Sequence, residues 1–268
     1  MTYRKIKLDV ADGIATVTLA DPATLNAAAL DMVEELIEAF RGLAEDASVR
    51  AVILTGEGRG FCSGANLSDP RTLAGVLAGG GGEGPDLGVA LESHYRPFIE
   101  LLRNSPVPVI AAVNGACAGI GMAFALACDL VVAGEGARFI LAFRRIGLVP
   151  DGGLTWLLPR IVGKTRALEM MLLGEDVSAQ TALEWGLVNR VAPDESLLAA
   201  AGEIAHKLAT GPKSLGLMRR LMWEGLDQPL SAQLEAERRA QTQAGRTADF
   251  MEGVMAFQQK RPARFGGA

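Results

Sequence analysis

The sequence predicts an α/β fold over residues 1–195, followed by a helical region over residues 196–268. Short apolar runs lead into clusters of glycine at residues 51–64 and again at residues 109–121, where a helix-like segment follows. Repeated units of strand, turn and helix are typical of layered α/β domains, with ligand-binding groups at the turns. Beyond Pro159, helical periodicity dominates the pattern instead.

The N-terminal elements are predicted to be a hairpin and a helix. Apolar and polar residues alternate over residues 6–10 and 14–19, and Asp12 and Gly13 between them are a turn signal. The helix is predicted over residues 27–43, where apolar side chains recur at helical spacing.

The middle of the chain predicts buried strands and one short helix. Apolar runs at residues 51–54 and 109–113 indicate strands, residues 122–127 indicate a helix, and residues 130–133 and 138–141 indicate further short strands. Six later helices are predicted, over residues 166–173, 179–185, 196–208, 214–223, 230–243 and 250–259. A glycine tract at residues 79–84 predicts a surface loop.

Composition excludes several kinds of partner. The 31 acidic residues exceed the 26 basic ones and give a net charge of −5, whereas nucleic-acid surfaces are basic. Three cysteines without paired spacing and two histidines in unrelated segments predict neither disulfides nor a metal site. The sequence has no apolar run of the roughly eighteen residues that a membrane span needs, and its start lacks a signal-peptide pattern. We expect a soluble cytoplasmic protein that binds no nucleic acid and no membrane.

Two familiar motifs are incomplete in this sequence. A dinucleotide fingerprint that began at Gly56 would need a third glycine where the chain has Phe61. Ser63 does not lie in the Gly-x-Ser-x-Gly pattern of serine hydrolases, and two histidines leave little scope for a triad. His94 is predicted on the polar side of a helix that includes Tyr95, without a catalytic role.

Two glycine turns are the stronger candidates for a binding site. In the segments at residues 61–67 and 114–124, small side chains leave the backbone open to a ligand. The second turn also opens a helix, whose first N–H groups lack partners within the helix. Together the turns suit an oxyanion hole, two N–H groups around one carbonyl oxygen, but tight structural turns would give the same pattern.

Longer stretches of the sequence resemble the crotonase superfamily, the enoyl-CoA hydratases and isomerases. The strings that carry the resemblance are ADPATLN, GRGFCSGANL, PVPVIAAVNGACAGIGMAFALACDLVVA, AQTALEWGLVNRV and EGVMAFQQKRPARFGG, in family order. The resemblance implies a crotonase-like spiral of ββα units, a C-terminal helical trimerisation region and a homotrimer or hexamer. It also implies that acyl-CoA is the substrate and that no separate cofactor is used.

The resemblance also assigns the catalytic positions. It places the two oxyanion donors on the backbone N–H groups of Ala65 and Ile120. The two glutamates that hold water in hydratases are replaced by Ala123 and Phe143, which cannot serve as acid or base. Asp151 remains as a carboxylate facing the acyl chain, although an N-cap of the following helix is an alternative role.

Substrate-binding positions follow by the same route. The predicted set is Ala23, Leu25, Ser63, Gly64, Asn66, Leu67, Gly119, Ala123, Phe143, Lys260 and Arg261. Relatives often have a basic residue at Ala23 and an aspartate at Asn66, so these two positions depart from the family pattern. Lys260 and Arg261 are candidate contacts to CoA phosphate across a subunit boundary, and the alternative is that they are solvated surface charges, the more common fate of such residues.

The sequence therefore predicts an acyl-CoA isomerase that shifts a double bond or isomerises a ring epoxide through an enolate. The segments around Tyr95 and Asp151 resemble the phenylacetate-pathway branch of the family, whose substrate is ring-epoxidised phenylacetyl-CoA. An enoyl-CoA hydratase and a non-catalytic acyl-CoA-binding protein are the alternatives.

Overall fold

The computed structural model describes residues 3–72 and 86–267 of the chain. The glycine tract at residues 79–84 lies outside the described residues. The strands are β1 (Ile6–Ala11), β2 (Ile14–Leu19), β3 (Ala51–Gly56), β4 (Gly60–Cys62), β5 (Val109–Val113), β6 (Ala116–Ala118), β7 (Leu130–Gly134), β8 (Arg138–Ile140), β9 (Val177–Ser178) and β10 (Arg190–Ala192). The helices are α1 (Leu30–Glu45), α2 (Arg96–Arg103), α3 (Ile120–Ala127), α4 (Leu154–Ile161), α5 (Gly163–Leu173), α6 (Ala179–Glu184), α7 (Leu197–Ala209), α8 (Ser214–Gly225), α9 (Leu230–Ala244) and α10 (Ala248–Gln258).

The strands form two sheets, and from β3 to β8 successive strands alternate between them. Six strands lie in the order β1-β2-β3-β5-β7-β10, and four lie in the order β4-β6-β8-β9. The β1–β2 hairpin is antiparallel, and every later pair of the larger sheet is parallel. Strands β3, β5 and β7 are each followed by a strand of the smaller sheet and then by a helix. This order confirms the predicted spiral of ββα units.

Strands β3, β5 and β7 of the larger sheet are buried on both faces, as parallel strands with helices on each side require. Val52 and Leu54 of β3 face the main core, which α1, α2 and α3 complete. Ala51 and Ile53 face the other way, toward the apolar side of α7. The division at residue 195 stays a prediction, but α7, the first helix after it, completes one layer of the core.

The structure corrects several element boundaries and adds four strands. Helix α1 begins at Leu30, not at residue 27, because Asn26 is wholly buried and its side chain bonds the backbone of Asp21, Glu57 and Gly60. Strands β4, β6, β9 and β10 were not predicted, since each has only two or three residues. A strand this short offers too little periodicity to read.

Residues 3–72 and 86–267 contain neither a helix able to span a membrane nor a cluster of metal-ligating side chains. No helix there combines the length and the hydropathy needed to cross a bilayer. No group of three or more His, Cys, Asp or Glu side chains in these ranges is arranged to hold a metal ion.

Candidate active site

The two predicted glycine turns pack backbone against backbone. A Cβ atom added to Gly119 would lie 3.7 Å from the Cα of Gly64 and 3.8 Å from Cζ of Phe143. A Cβ atom added to Gly64 would lie 3.4 Å from the carbonyl oxygen of Ala118. Both glycines have positive φ, 109° at Gly64 and 51° at Gly119, a conformation that other residues rarely adopt. The backbone conformation, rather than a lack of space, therefore favours glycine at both positions, since the added Cβ atoms would make ordinary van der Waals contacts.

A parallel bridge orients the first turn. Ala28 pairs with Ala65, the N–H of Ala28 donates to Gly64 O at 2.8 Å, and the N–H of Asn66 donates to Ala28 O at 3.4 Å. In a parallel pair, these bonds run to the neighbours of the paired residue, so the N–H of Ala65 points away from Ala28. Within the described part of the chain, that N–H has no hydrogen-bond acceptor. It is free to bind a ligand.

The second turn presents the start of a helix. Gly119 is the N-cap of α3, and its carbonyl accepts the N–H groups of Met122 and Ala123 at 3.0 and 3.3 Å. Ile120 is the first helical residue, and its N–H finds no acceptor among residues 3–72 and 86–267. All residues of α3 are buried, so the positive end of its dipole lies in a medium of low dielectric constant.

Asp151 lies next to both the second turn and a cavity. A Cβ atom on the adjacent Gly152 would come within 2.5 Å of Cδ1 of Ile120 and 2.6 Å of Cβ of Ala123. The Asp151 side chain lines a cavity of about 230 Å³ together with Ala65. The structure thus brings the acid, the first turn and the start of α3 into one neighbourhood.

Asp151 is partly buried, and one oxygen of its carboxyl is shielded from solvent. Its Oδ1 atom has no hydrogen-bond partner among the described atoms. Burial raises the pKa of this carboxyl from 3.8 to about 6, because an ionised group loses its hydration there. A carboxyl that titrates near neutral pH is suited to accept and return a proton.

The alternative N-cap role of Asp151 is wrong. Gly153 is the N-cap of α4, with φ of 80°, and no side chain caps this helix. Asp151 contributes only its main-chain carbonyl, which accepts the N–H of Leu154 at 3.0 Å. Two left-handed glycines between the acid and the helix turn its side chain away from the capping position.

The predicted apolar positions surround the second turn. Ala123 is fully buried in α3, and Phe143 is 7% exposed with its ring against Gly119. No carboxylate replaces the missing pair at these positions. A groove of about 530 Å³ beside α8 is larger than the Asp151 cavity, but it lies at Arg103 and Lys213, away from both turns.

The remaining substrate positions near the first turn form one neighbourhood. Ala23 lies in a 3₁₀ turn (Pro22–Thr24) that the chain leaves through Leu25, whose φ is 54°. Ser63 donates its hydroxyl to Thr24 O at 2.8 Å and its N–H to Leu25 O at 3.0 Å. Leu67 is half exposed and lines the Asp151 cavity. The side chain of Asn66 accepts the N–H of Ser68 at 3.0 Å and so shapes its own loop.

Lys260 and Arg261 lie apart from this neighbourhood in the single chain. Arg261 forms a two-pronged ion pair with Glu252, at 2.6 and 2.8 Å. Lys260 follows the end of α10 with φ of 53°. Among the described residues, neither side chain bonds a residue of the cavity. Their role toward phosphate stays a prediction.

Two cavity residues were assigned no role from the sequence. Tyr95 is buried and donates its hydroxyl to Ala28 O at 2.8 Å, whereas the sequence only placed it on a helix and in a segment that resembles one branch of the family. His94 lines the same cavity, and its Nε2 lies 3.1 Å from Oε1 of Glu34. Arg71 and then His94 hold the pKa of Glu34 down to about 2. No sequence pattern links these distant positions.

The ββα spiral with two packed glycine turns defines the class of this protein, and comparisons with known proteins identify its family. Residues 9–268 match the enoyl-CoA hydratase/isomerase family, and the chain belongs to that family. It is 42% identical to 1,2-epoxyphenylacetyl-CoA isomerase of Escherichia coli, over 96% of this chain and 97% of that protein. It is 41% identical to a protein of Rhodobacter capsulatus named as a probable enoyl-CoA hydratase, over the full length of both.

Solved structures agree on the fold. The crystal structure of enoyl-CoA hydratase from Bacillus anthracis matches with a TM-score of 0.90 at 34% identity, over 99% of this chain and 100% of that one. The predicted crotonase-like fold is therefore confirmed.

Proposed function

We propose that this enzyme is an acyl-CoA isomerase that works through an enolate. The observation that carries the proposal is the carboxyl of Asp151, whose shielded Oδ1 atom lacks a hydrogen-bond partner among the described atoms. It lies beside two main-chain N–H groups that have no acceptor in the described part of the chain, where both hydratase glutamates are missing. Proton transfer between two carbons needs a single group that takes a proton and gives it back. Water addition needs a group that activates water, and Ala123 and Phe143 offer none.

The two N–H groups supply electrostatic stabilisation. The thioester oxygen of the substrate would lie between the N–H groups of Ala65 and Ile120, and negative charge develops on it when the α-proton leaves. In a dry site, each such donor contributes about 10²–10³ in rate. Their value is high because the donors are fixed by the packed turns before the reaction begins.

Asp151 moves the proton. Its ionised carboxyl removes the proton from the carbon next to the thioester, and the electron pair moves onto the thioester oxygen. The protonated carboxyl then returns that proton to a carbon further along the conjugated system. The net change is a shifted double bond, with no atom gained or lost. The reaction requires neither a metal nor a redox cofactor.

A ring epoxide is the second substrate class that the proposal includes. The similarity to the E. coli protein named 1,2-epoxyphenylacetyl-CoA isomerase supports it. Asp151 would assist the opening of the epoxide and expansion of the ring to an oxepin, while the same oxyanion site holds the thioester.

Hydration is the competing function, and the similarity to the R. capsulatus protein favours it. A protein that only binds acyl-CoA is the third alternative. A panel of thioesters separates the three: an isomerase converts 3-enoyl-CoA to 2-enoyl-CoA, a hydratase consumes crotonyl-CoA, and a binding protein does neither.

The Asp151→Asn variant tests the assignment of the base. Asn keeps the shape of the side chain but cannot accept the proton, so we expect the isomerase rate to fall by about 10²–10⁴. The isomerisation is followed by the absorbance of the conjugated product. An Asn variant with the wild-type rate would show that Asp151 is not the base.

We also propose that the enzyme is a homotrimer, or a hexamer of two trimers. The helices α8 to α10 expose large apolar side chains, among them Met222 at 66%, Leu230 at 74% and Phe257 at 85%. Exposed apolar faces of this kind mark protein–protein contacts. In such an assembly, Lys260 and Arg261 of one subunit would contact the CoA phosphates bound by its neighbour. Sedimentation velocity of the purified protein gives the number of subunits.

A further inference from the structure

Tyr95 connects two segments that sequence places far apart. It ends a π-helical turn (Leu91–Tyr95) that runs directly into α2. Its side chain is 3% exposed, and its hydroxyl donates to Ala28 O at 2.8 Å. π-helical turns are rare and frequently occur at functional sites. Here the turn places a buried hydroxyl under the loop that carries Ala65.

Ala28 is fully buried, and its carbonyl has two hydrogen-bond donors among the described residues. It lies between the 3₁₀ turn and α1, and within the described part of the chain its strand-like pairing is the isolated bridge to Ala65. Its carbonyl accepts the N–H of Asn66 at 3.4 Å, a long hydrogen bond. The shorter hydrogen bond from Tyr95 therefore contributes most to fixing the position of this carbonyl.

The bridge between Ala28 and Ala65 connects the Tyr95 hydrogen bond to the N–H of Ala65. The N–H of Ala28 donates to Gly64 O, and the carbonyl of Ala28 accepts from Asn66, so its two hydrogen bonds enclose Ala65 on both sides. The N–H and the carbonyl of Ala28 belong to two adjacent peptide groups that meet at its Cα. A shift of Ala28 would disturb both bonds and turn the N–H of Ala65, which shares a peptide group with Gly64 O. Catalytic donors lose value when they shift by even about 1 Å.

The hydroxyl of Tyr95 stays a donor across the working range of pH. Burial raises its pKa, and the nearby acidic groups of Cys62, Asp151 and Asp69 add to the rise. The side chain also lines the cavity beside Asp151, with its ring 6.4 Å from that of Phe124. Packing fixes the ring, so the direction of its O–H is fixed as well.

We propose that Tyr95 is a positioning residue, whose bond to Ala28 sets the direction of the Ala65 N–H toward the thioester oxygen. This inference rests on the proposed function and names a residue through which the oxyanion site is held. Because the oxyanion bond strengthens as charge develops, loss of alignment lowers kcat more than it changes KM.

The Tyr95→Phe variant tests the proposal. Phe fills the same space and removes only the hydroxyl, so we expect kcat for 3-enoyl-CoA to fall about tenfold or more, with KM changed less than about threefold. The matched control is Thr55→Val, which removes another buried hydroxyl bonded to a main-chain oxygen, that of Ala112 at 2.8 Å, away from the cavity. The control should keep wild-type kcat.

A second measurement reports on the amide itself. Cinnamoyl-CoA bound to the wild type should show a lowered infrared stretching frequency of its thioester carbonyl, because two N–H donors polarise it. The Tyr95→Phe complex should show a smaller shift. The frequency belongs to bound, folded molecules, so partial unfolding would lower the signal without moving it.

The outcomes distinguish two failures. If Tyr95→Phe keeps both wild-type kcat and the full carbonyl shift, Tyr95 does not position the amide, and the proposed function stands. If wild-type enzyme gives no carbonyl shift, the oxyanion site itself is wrong, and this inference falls with it.

Discussion

A partly buried acid, Asp151, carries the proposed chemistry at the scale of residues. Asp151 combines an unpartnered oxygen with a pKa raised to about 6, and the cause is burial rather than a neighbouring charge. The same burial that suits it for proton transfer makes its ionised form costly to the folded state. The activity and the stability of the protein are therefore expected to respond to pH in opposite directions at this residue.

The pH dependence of the proposed isomerase activity follows from the protonation state of Asp151. The base must be ionised, so kcat/KM is expected to rise about tenfold per pH unit below pH 6 and to level off above it. Initial rates with 3-enoyl-CoA between about pH 5 and pH 8 measure this profile. A rate that does not change over this interval would mean that another group, with a different pKa, removes the proton.

The free energy of unfolding should fall, rather than rise, as the pH increases through the pKa of Asp151. The folded-state pKa of Asp151 lies above its unfolded value of 3.8, so ionisation destabilises the fold, and the cost is complete above about pH 6 and absent below about pH 4. Asp151→Asn is therefore expected to raise the free energy of unfolding by about 1–3 kcal/mol near pH 8 and by little near pH 4. Urea unfolding at the two pH values tests this, and an equal effect at both would contradict it.

At the scale of elements, the site depends on the turn between the acid and α4. Gly152 and Gly153 have φ of 60° and 80°, and only the first lies against α3. Gly152 is thus the point where the acid-bearing turn and the oxyanion helix touch. The two glycines form a matched pair, since they share the backbone conformation and differ in the space around them.

Alanine at these two positions separates strain from contact. Gly153→Ala meets open space and should cost only the backbone strain, about 1–2 kcal/mol, with activity retained. Gly152→Ala adds a clash with Ile120 and Ala123, so we expect a larger loss of stability and a fall in kcat. Thermal unfolding and the isomerase assay compare them. Equal losses in both variants would show that the contact with α3 is unimportant.

At the scale of the whole molecule, one buried ion pair joins the helical region to the core. Arg219 of α8 donates to Asp129 at 2.7 Å and also to the main-chain oxygens of Arg103, Ser105 and Leu102. The side chains of Arg219 and Asp129 are 6% and 16% exposed, respectively. The guanidinium of Arg219 thus holds the end of α2 and the start of β7 in contact with α8.

Removal of that arginine should loosen the helical region. Arg219→Met leaves the carboxylate of Asp129 without its main partner, and we expect the free energy of unfolding to fall by about 3–5 kcal/mol. The control is Arg220→Met, whose side chain is 53% exposed and 3.9 Å from Glu224, with an expected change below about 0.5 kcal/mol. Denaturant unfolding measures both. Similar values for the two variants would mean that the pair does not hold α8.

The sequence by itself determined the elements that have a strong local signal. The hairpin, strands β3, β5 and β7 and the later helices follow from periodicity, and the two turns at Gly64 and Gly119 follow from their glycines. The hairpin, strands, helices and turns depend on residues close together in the chain, so local patterns carry them. The resemblance to a family, which extends over nearly the whole chain, added the ββα spiral and the proposed donors Ala65 and Ile120.

The tertiary structure alone decided how distant residues meet. It shortened α1 because buried Asn26 bonds a loop some thirty residues away, and it ended the N-cap interpretation of Asp151 by placing Gly153 at the cap. It also brought Tyr95 under Ala28, a contact over 67 positions of sequence. Burial, hydrogen-bond partners and raised pKa values are properties of surroundings built from the whole chain, and no local pattern contains them.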